Sequence, residues 1–298
     1  MEERMIVVMG ATGTIGRHLV RMLGETGTPF RALVRNEAKG RALGCDFVVG
    51  DLDRPASLAP VLDGADRLLL NSGGALPVAG RQPMVRQQTA AVDAARAAGV
   101  SRIVKVSAWR PAPEAKLSVR AHWEIEQHLK SSGVPWSLLR PTGYMQNFFT
   151  GEGGFSAERA VSGPYGQGRV AYIDAYDIAA CAATLLTAPD GEGRAHDLTG
   201  PEALTHEEIA AKLGVPFHDQ SPAEAGAELR ARGLPGWFVD DLLWLYADMA
   251  SGGSSEVTTA VQDLTGRAPR GFDEFLAAQS GRPVRTALDR EHDRPDTP

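Results

Sequence analysis

The chain begins with three glycines at a spacing of three, placed directly after an apolar stretch. Residues 5–9 are rich in β-branched side chains, which favours a buried parallel strand, and Gly10, Gly13 and Gly16 follow. A helical pattern of apolar residues starts at Ile15. In this order the first glycine permits a tight turn, the second the close approach of a pyrophosphate, and the third close helix packing. The spacing therefore predicts a dinucleotide site at the amide end of the first helix, rather than an ordinary glycine-rich loop.

The residues that follow the second predicted strand indicate which dinucleotide is bound. A site for NAD commonly has an acidic residue about 20 residues beyond the glycines, where it binds the ribose 2′-hydroxyl. This chain has Arg35 and Asn36 there, directly after Phe30–Val34. A guanidinium can bind a 2′-phosphate through two parallel hydrogen bonds, whereas a carboxylate would repel it. We expect NADP(H) as the cofactor; a solvated arginine at a strand end is the alternative.

Two polar residues lie on the inward face of a helix predicted at 117–132. The spacing of three and four places Ser118 and His122 on one face. Ile125 and Leu129 share that face and mark it as buried. Because a helix that returns antiparallel to the strands begins at their carboxyl edge, we expect both polar side chains near a bound ligand, where an imidazole can act as an acid. A core histidine bonded to a backbone carbonyl is the alternative.

The elements that position these residues alternate along the first half of the chain. Strands are predicted at 5–9, 30–34, 46–49, 67–70, 102–107 and 136–140, and helices at 15–26, 83–98 and 117–132, with a short helix after Pro55. This alternation predicts an α/β fold with a doubly wound parallel sheet, a Rossmann domain that binds ligands at the carboxyl ends of its strands.

The periodicity changes in the second half and divides the chain. Residues 1–150 form the predicted dinucleotide-binding domain, to which 169–200 is expected to return. Residues 151–280 form a smaller, mostly helical substrate-binding lobe. The segment 281–298 is highly charged with few apolar residues, which predicts a disordered tail.

Aromatic residues follow the strand ends and continue into the segment after the sheet. They predict a stacking surface for a broad aromatic substrate, although for any single residue packing between sheet and lobe is the commoner role. The five candidates for substrate binding are Trp109, Tyr144, Phe148, Phe149 and Phe155.

Composition excludes several classes of partner. The 298 residues are 43% hydrophobic, enough for one large core or for a domain with a lobe, and the net charge of −6 gives no electrostatic footprint for nucleic acid. Apolar runs are too short for a membrane span, and we expect no secretory leader, because the sequence enters the first predicted strand almost at once. Cys45 and Cys181 lack the spacing of a metal site or a disulfide framework. We expect a cytoplasmic protein without metal, a monomer or weak homo-oligomer, whose partner is a small molecule.

Taken together, these motifs resemble the NmrA-like atypical short-chain dehydrogenases/reductases over residues 5–279. Such a resemblance is specific for the fold and less specific for activity, because the family includes reductases and proteins that only sense dinucleotides. The matching stretches are 10–16, 33–36, 50–52, 123–133, 139–147, 177–179, 198–202 and 271–275.

The resemblance implies a role for each of several groups of residues. The cofactor-binding residues would be Thr12, Gly13, Thr14 and Ile15 at the pyrophosphate, Arg35 at the 2′-phosphate, Asp51 and Leu52 at the adenine, Asn71, Ser72 and Gly73 at the ribose, and Pro141 and Thr142 at the nicotinamide carboxamide. Catalysis in the wider superfamily uses a serine after the fifth strand and a Tyr-xxx-Lys pair on the next helix. Ser107 fits the serine, whereas Ser118 and His122 occupy the Tyr and Lys positions. The usual acid is therefore missing.

Hydride transfer to a carbonyl leaves an alkoxide that needs a hydrogen-bond donor or a proton. Three sources are open: Ser107, His122, or a phenol on the substrate itself. We expect an NADPH-dependent reductase of a bulky ketone or quinone, with a ketoreductase that tailors an aromatic polyketide, as in antibiotic biosynthesis, as the concrete case. A non-catalytic NADP(H)-sensing regulator is the main alternative, and an isomerase or epimerase a weaker one.

Overall fold

The computed structural model describes residues 5–150, 160–188 and 193–279. The described residues form two compact units. The first comprises the chain up to Pro141 with Ala175–Leu198 and Thr259–Arg267. The second comprises Thr142–Asp174, Thr199–Thr258 and the chain from Ala268 onward. Phe155 and the predicted tail lie outside the described residues.

The strands, in chain order, are β1 (Ile6–Val8), β2 (Phe30–Val34), β3 (Phe47–Val49), β4 (Arg67–Leu70), β5 (Arg102–Val106), β6 (Trp136–Pro141), β7 (Val161–Gly163), β8 (Arg169–Val170), β9 (Arg194–Leu198), β10 (Leu204–Thr205) and β11 (Phe217–Asp219). The helices are α1 (Thr14–Glu25), α2 (Glu37–Arg41), α3 (Leu58–Leu62), α4 (Pro83–Ala97), α5 (Leu117–Ser131), α6 (Asn147–Thr150), α7 (Ala175–Thr187), α8 (His206–Leu213), α9 (Pro222–Ala231), α10 (Gly236–Ala250), α11 (Ala260–Thr265) and α12 (Phe272–Gln279), with a 3₁₀ turn at Pro55–Ser57.

The first unit contains a seven-stranded sheet in the order β3-β2-β1-β4-β5-β6-β9. Neighbouring strands all pair in parallel. Strands β1 to β6 are largely apolar because helices cover a parallel sheet on both faces. The predicted α/β doubly wound fold is confirmed. The reversal of strand order lies between β1 and β4, so the end of β1, where the glycines begin, is the expected ligand position.

Helices α4 and α5 pack on one face of the sheet, and leucines and other aliphatic residues fill the space between them. Leu68, Leu70, Ile125 and Leu129 are all fully buried in this core. Burying such a side chain contributes about 1.5–3 kcal/mol. The burial of Ile125 and Leu129 confirms the predicted inward face of α5.

Helix α7 ends against two buried arginines from the sheet. Arg67 Nη1 donates to the carbonyl oxygens of Leu186 (2.6 Å) and Ala188 (2.7 Å). Arg102 Nη1 donates to Leu185 O (3.1 Å) and Ala188 O (3.0 Å). Cationic groups at the carbonyl end of a helix satisfy its last acceptors and complement its dipole, which explains how two arginines remain buried here.

The segment 169–200 divides between the two units. Arg169–Val170 pairs antiparallel with β10 in a two-stranded sheet of the second unit, whereas α7 and β9 lie in the first unit. Strand β9 pairs with β6 as the seventh strand of the large sheet. Only part of the segment therefore returns to the sheet. The sequence Arg194–Leu198 carries polar residues in place of an apolar run, so it lacks the pattern that predicted the other strands.

The second unit is built around a cluster of aromatic rings. Phe148 is fully buried and lies edge-on to Tyr172 and Phe272, with ring centroids 4.9 and 5.8 Å away. His206 stacks on Tyr165 at 3.5 Å between centroids and 5° between planes. Helix α8 begins at this cluster, and its start is fixed by a capping box between Thr205 and Glu208.

Candidate functional site

The turn after β1 has a shape that only glycine permits. Gly10 has φ +73°, a left-handed conformation that favours glycine. A Cβ on Gly16 would overlap the carbonyl oxygen of Gly10 and lie 2.6 Å from the Cα of Ala11. Helix α1 starts after Gly13 with no side-chain cap and no acidic residue in its first turn. Its first amides are thus available to an anion, and the residues present fit the pyrophosphate of a dinucleotide.

The loop that follows β4 lies against this turn. A Cβ on Gly10 would be 3.0 Å from the backbone oxygen of Asn71, so the two loops approach as closely as glycine allows. The next residue, Ser72, accepts a hydrogen bond of 2.8 Å from Gln88 Nε2. On the glycine turn itself, Arg17 Nε donates to Thr12 O at 2.8 Å. Because β1 and β4 are neighbours, their carboxyl ends bring the predicted pyrophosphate and ribose residues together.

The predicted adenosine end is built by the carboxyl ends of β2 and β3. Arg35 is exposed directly after β2, and Asn36 caps α2 by accepting from the Lys39 amide at 2.9 Å. The Asp51 amide donates to Ser57 Oγ at 2.9 Å, which fixes the turn after β3. The guanidinium of Arg35 is therefore free to face solvent at the edge that holds the glycine turn, as a 2′-phosphate site requires.

The pKa of a nearby carboxyl responds to the cations at this edge. Asp53 accepts hydrogen bonds from Gln87 (3.0 Å) and Arg86 (2.6 Å). The Gln87 bond lowers the pKa of Asp53 most, and the Arg86 and Arg35 charges lower it further. Arg35 thus stands close enough to an ionised carboxylate to interact with it, although the pair is solvated and weak.

The chain passes from the first unit to the second between Pro141 and Thr142. Pro141 is buried at the end of β6 in the first unit. Thr142 belongs to the second unit and donates its hydroxyl hydrogen to Ala171 O at 2.5 Å. Its hydroxyl is thus engaged within its own unit, and the nicotinamide contact of both residues stays a prediction.

Ser107 faces a buried carboxylate. Its Oγ donates to Glu126 Oε1 at 2.7 Å, and Glu126 also accepts from Arg140 Nε (2.9 Å), Arg140 Nη2 (2.6 Å) and Lys130 Nζ (3.1 Å). Burial acts to raise the pKa of Glu126, but the hydrogen bonds from Arg140 and Ser107 outweigh it and lower the pKa. The hydroxyl hydrogen of Ser107 is engaged in this network, so the serine has lone pairs but no free proton for a ligand.

His122 contacts a residue that sequence reasoning missed. Lys105, near the end of β5, is fully buried, and its Nζ lies 2.9 Å from His122 Nδ1. The same Nζ donates to Gln88 Oε1 and to Val106 O, both at 3.0 Å. The signal in the sequence was a lysine inside an apolar strand, two residues before Ser107 and therefore on the same face.

Burial changes the charge state of this pair. Desolvation lowers the pKa of Lys105 to about 7, and the Glu126 charge opposes the change. Desolvation and the neighbouring Lys105 charge lower the pKa of His122 well below its usual value. The imidazole is therefore neutral near neutral pH, with its Nδ1 facing the ammonium group.

The loop between β5 and α5 is held in an uncommon conformation. Arg110 in the loop and Leu117 at the first position of α5 have φ of +41° and +50°, values that few residues other than glycine adopt. Trp109 is half-buried, and the Arg110 guanidinium lies 5.0 Å from its ring centroid. Ser118, also half-buried, lies one turn before His122 on α5. The left-handed conformation of Leu117 thus coincides with the start of α5.

The aromatic residues predicted to bind substrate have different surroundings. Phe148 is enclosed in the core of the second unit, and Phe149 packs edge-on to Phe275 at 5.5 Å. Phe148 has no exposed surface, whereas Phe149 is half-buried, and the substrate-binding assignment of both residues stays a prediction. Tyr144 is half-buried and bridges to Ile173. Trp109 and Tyr144 keep the partial exposure that stacking on a ligand needs.

The described residues offer neither a cluster for a metal ion nor a membrane-spanning helix. Among residues 5–150, 160–188 and 193–279, no three His, Cys, Asp or Glu side chains are grouped to hold a metal ion. Within the same ranges no helix has the length and apolar character to cross a membrane.

Comparison with known proteins adds to this geometry. The model of the NmrA-like family matches residues 2–214. An NAD(P)H azoreductase from Xenophilus azovorans is 34% identical over 287 residues, which cover 93% of this chain and 98% of that protein. The structure of an NADPH-dependent quinone oxidoreductase from Escherichia coli, complexed with NADPH, has a TM-score of 0.78 and 28% identity and covers 92% of this chain and 99% of that one. A triphenylmethane reductase from Citrobacter sp., complexed with NADP(H), has a TM-score of 0.77, 26% identity and coverages of 92% and 99%.

Proposed function

This chain belongs to the NmrA-like family, and from that premise we propose that it is an NADPH-dependent oxidoreductase whose acceptor is a bulky quinone or aromatic ketone. The observation that carries the proposal is the uncapped amide end of α1 beside the left-handed Gly10, which forms a seat for a pyrophosphate. When bound there, NADPH supplies a hydride. The chain itself must orient the acceptor, exclude water and provide a proton.

The relatives support a class of acceptor rather than one compound. Their names identify reductases of azo compounds, quinones and triphenylmethane dyes. These acceptors share extended conjugation and an electron-poor centre that takes a hydride and afterwards a proton. The half-buried ring of Trp109 suits such acceptors, because flat aromatic groups stack on aromatic side chains.

The exposed guanidinium of Arg35 supports the choice of NADP(H) over NAD(H). It follows β2 at the edge where the ribose of the adenosine would lie, and an acidic residue is absent from that position. A charge-assisted bond to the 2′-phosphate contributes about 1.5–3 kcal/mol, which corresponds to roughly one to two orders of magnitude in affinity.

A narrower proposal concerns the natural substrate. An aromatic polyketide, with a phenol beside the reducible carbonyl, suits a site in which Ser118 and His122 replace the usual Tyr and Lys. Such a phenol could supply the proton itself. A tailoring ketoreductase of antibiotic biosynthesis is therefore the specific form of the proposed function.

The test is turnover of the purified full chain with NADPH and a panel of acceptors. The panel contains a benzoquinone, a naphthoquinone, a hydroxyanthraquinone, an azo dye and a triphenylmethane dye. We expect NADPH to be consumed with at least one acceptor at a kcat on the order of 1–10 per second, and more slowly with NADH. Tight NADPH binding without turnover on the entire panel would contradict the proposal and favour a dinucleotide-sensing role.

A further inference from the structure

The buried amine of Lys105 has as many acceptors around it as an ammonium group has hydrogens. Gln88 Oε1, Val106 O and His122 Nδ1 lie 3.0, 3.0 and 2.9 Å from Nζ. An ammonium group can donate to all three at once, which is how a fully buried cation is accommodated here. In that state His122 Nδ1 accepts, so the imidazole carries its single hydrogen on Nε2.

These residues form a polar chain along the carboxyl edge of the sheet. Ser72, in the loop after β4, accepts from Gln88, and Gln88 accepts from Lys105 at the end of β5. Lys105 in turn contacts His122 in the first half of α5. Lys105 has no solvent exposure, whereas His122 is half-buried. Protons can therefore enter or leave this hydrogen-bonded network through the imidazole of His122.

We propose that Lys105 and His122 form a proton relay, in which Lys105 stores the proton that His122 delivers to the reduced acceptor. The inference rests on the proposed reductase function and assigns a role to Lys105, which acts through His122 as a positioning and proton-supplying residue. For an acceptor without a phenol, such as a simple quinone, the relay supplies the proton that a substrate phenol would otherwise give.

The steps balance in atoms and charge. A quinone that has received a hydride is an anion with its added electron pair on oxygen. His122 Nε2 gives its hydrogen to that oxygen, while Nδ1 takes a hydrogen from the Lys105 ammonium group. The products are the hydroquinone, a neutral Lys105 amine and a neutral imidazole that carries its hydrogen on Nδ1. Water then returns one proton through Nε2, which restores the ammonium group and the first tautomer.

The surroundings set the direction of the pH dependence. His122 and Glu126 on α5 are the titratable groups that face Lys105, and Glu126 is itself bound by Arg140 and Lys130; Gln88 on α4 is uncharged. The relay can supply a proton only when Lys105 is protonated. Burial lowers the pKa of Lys105 to about 7, so we expect kcat to fall as pH rises through that region.

The kinetic test uses variants of the full chain with a quinone that has no phenol. We expect His122→Ala and Lys105→Met to lower kcat by about 100-fold, with the Kd for NADPH changed less than about threefold. Lys105→Met should also lose the fall in kcat near neutral pH, and added imidazole should restore part of the activity of His122→Ala. His128→Gln, on the outer side of the same helix, and Lys212→Met, in a surface ion pair, are the matched controls and should retain kcat.

A measurement without turnover guards against variants that do not fold. In ¹⁵N NMR of the unmutated protein we expect His122 to be neutral at about pH 6, with hydrogen on Nε2, and its shifts to change as Lys105 titrates. A hydrogen on Nδ1 at that pH would overturn the relay. So would full activity of His122→Ala toward the quinone. A wild-type protein that binds NADPH but reduces no acceptor would instead overturn the proposed function.

Discussion

Ser107 donates its hydroxyl hydrogen to the buried Glu126 carboxylate, with 2.7 Å between Oγ and Oε1. The position that the superfamily uses to polarise a substrate is therefore tied into a structural network with Arg140. The structural role of this position and the supply of the proton are therefore assigned to different residues. We infer that Ser107 and Glu126 hold α5 on the sheet. The proton for the substrate then comes from the neighbouring hydrogen-bonded pair of Lys105 and His122.

Glu126→Gln should destabilise the fold more than it impairs chemistry. The change removes the carboxylate that binds Arg140, while the Asp197 charge still acts on that guanidinium. Breaking such a pair costs about 3–5 kcal/mol when it is buried. The pKa of Glu126 is lower in the folded protein than in the unfolded chain. The ionised carboxylate therefore stabilises the fold at pH values above its unfolded pKa, and this stabilisation is lost as pH falls through its folded pKa. Denaturant unfolding measures the free energy of unfolding of both proteins. The difference between variant and wild type should become smaller below about pH 4.

The control for that experiment is Glu25→Gln, in the exposed ion pair with Arg21 on α1. A solvated pair contributes about 0–1 kcal/mol, so little change is expected. Equal effects of the two substitutions would contradict the structural role of Glu126.

Arg35→Ala should reduce the preference for NADPH over NADH. Loss of the guanidinium removes a bond to the 2′-phosphate and should lower the ratio of affinities by about 10- to 100-fold, mainly by weakening NADPH. Titration calorimetry with both cofactors measures it. Arg41→Ala, in the exposed pair with Glu37 on α2, is the control, and an unchanged ratio in Arg35→Ala would remove Arg35 from the site.

Two glycines on the same helix should respond in opposite ways to alanine. At Gly16 the added methyl would overlap the Gly10 carbonyl, so the turn must shift and NADPH binding should weaken by about 100-fold or more. At Gly24 nothing lies within 4 Å of an added Cβ, so Gly24→Ala should leave binding unchanged. It should also stabilise the protein by up to about 1 kcal/mol, because alanine is the better helix former. Calorimetric titration and thermal unfolding separate these effects.

His206 should make the second unit sensitive to acid. Burial lowers its pKa to about 3, whereas the unfolded chain takes up the proton near the ordinary value of 6.5. Between these values the unfolded state binds more protons, so stability falls as pH falls, by about 1.4 kcal/mol for each pH unit. Unfolding of His206→Gln, compared with wild type from about pH 6.5 to 4.5, should show this slope removed. The exposed His218→Gln is the control, and a slope that persists in His206→Gln would assign the acid sensitivity elsewhere.

The parts of the molecule that local chemistry determines could be predicted from sequence. Gly10 and Gly16 are required by backbone conformation and by one close approach, and both requirements involve neighbours within a few residues. Ile125 and Leu129 could be placed because helical periodicity alone selects their face. Strands β1 to β6 could be predicted as apolar runs because helices cover a parallel sheet on both faces.

What depends on distant neighbours could not be predicted. Lys105 looks like an interruption in an apolar strand until α4 brings Gln88 and α5 brings His122 to its amine. Phe148 follows a strand end, as a ligand-binding residue would, but Tyr172 and Phe272 enclose it. Sequence spacing gives the direction of a side chain, whereas the identity of its partners comes from the packing of separate elements.

The two arginines at the end of α7 also affect how the protein is made. Arg67 donates to a carbonyl oxygen that lies 119 residues further along the chain, and Arg102 donates to one that lies 83 residues further. A nascent chain released only as far as β6 already holds six strands, yet both guanidinium groups must still be hydrated. The order in which the ribosome delivers the chain therefore makes docking of α7 a late closing step in assembly of the sheet.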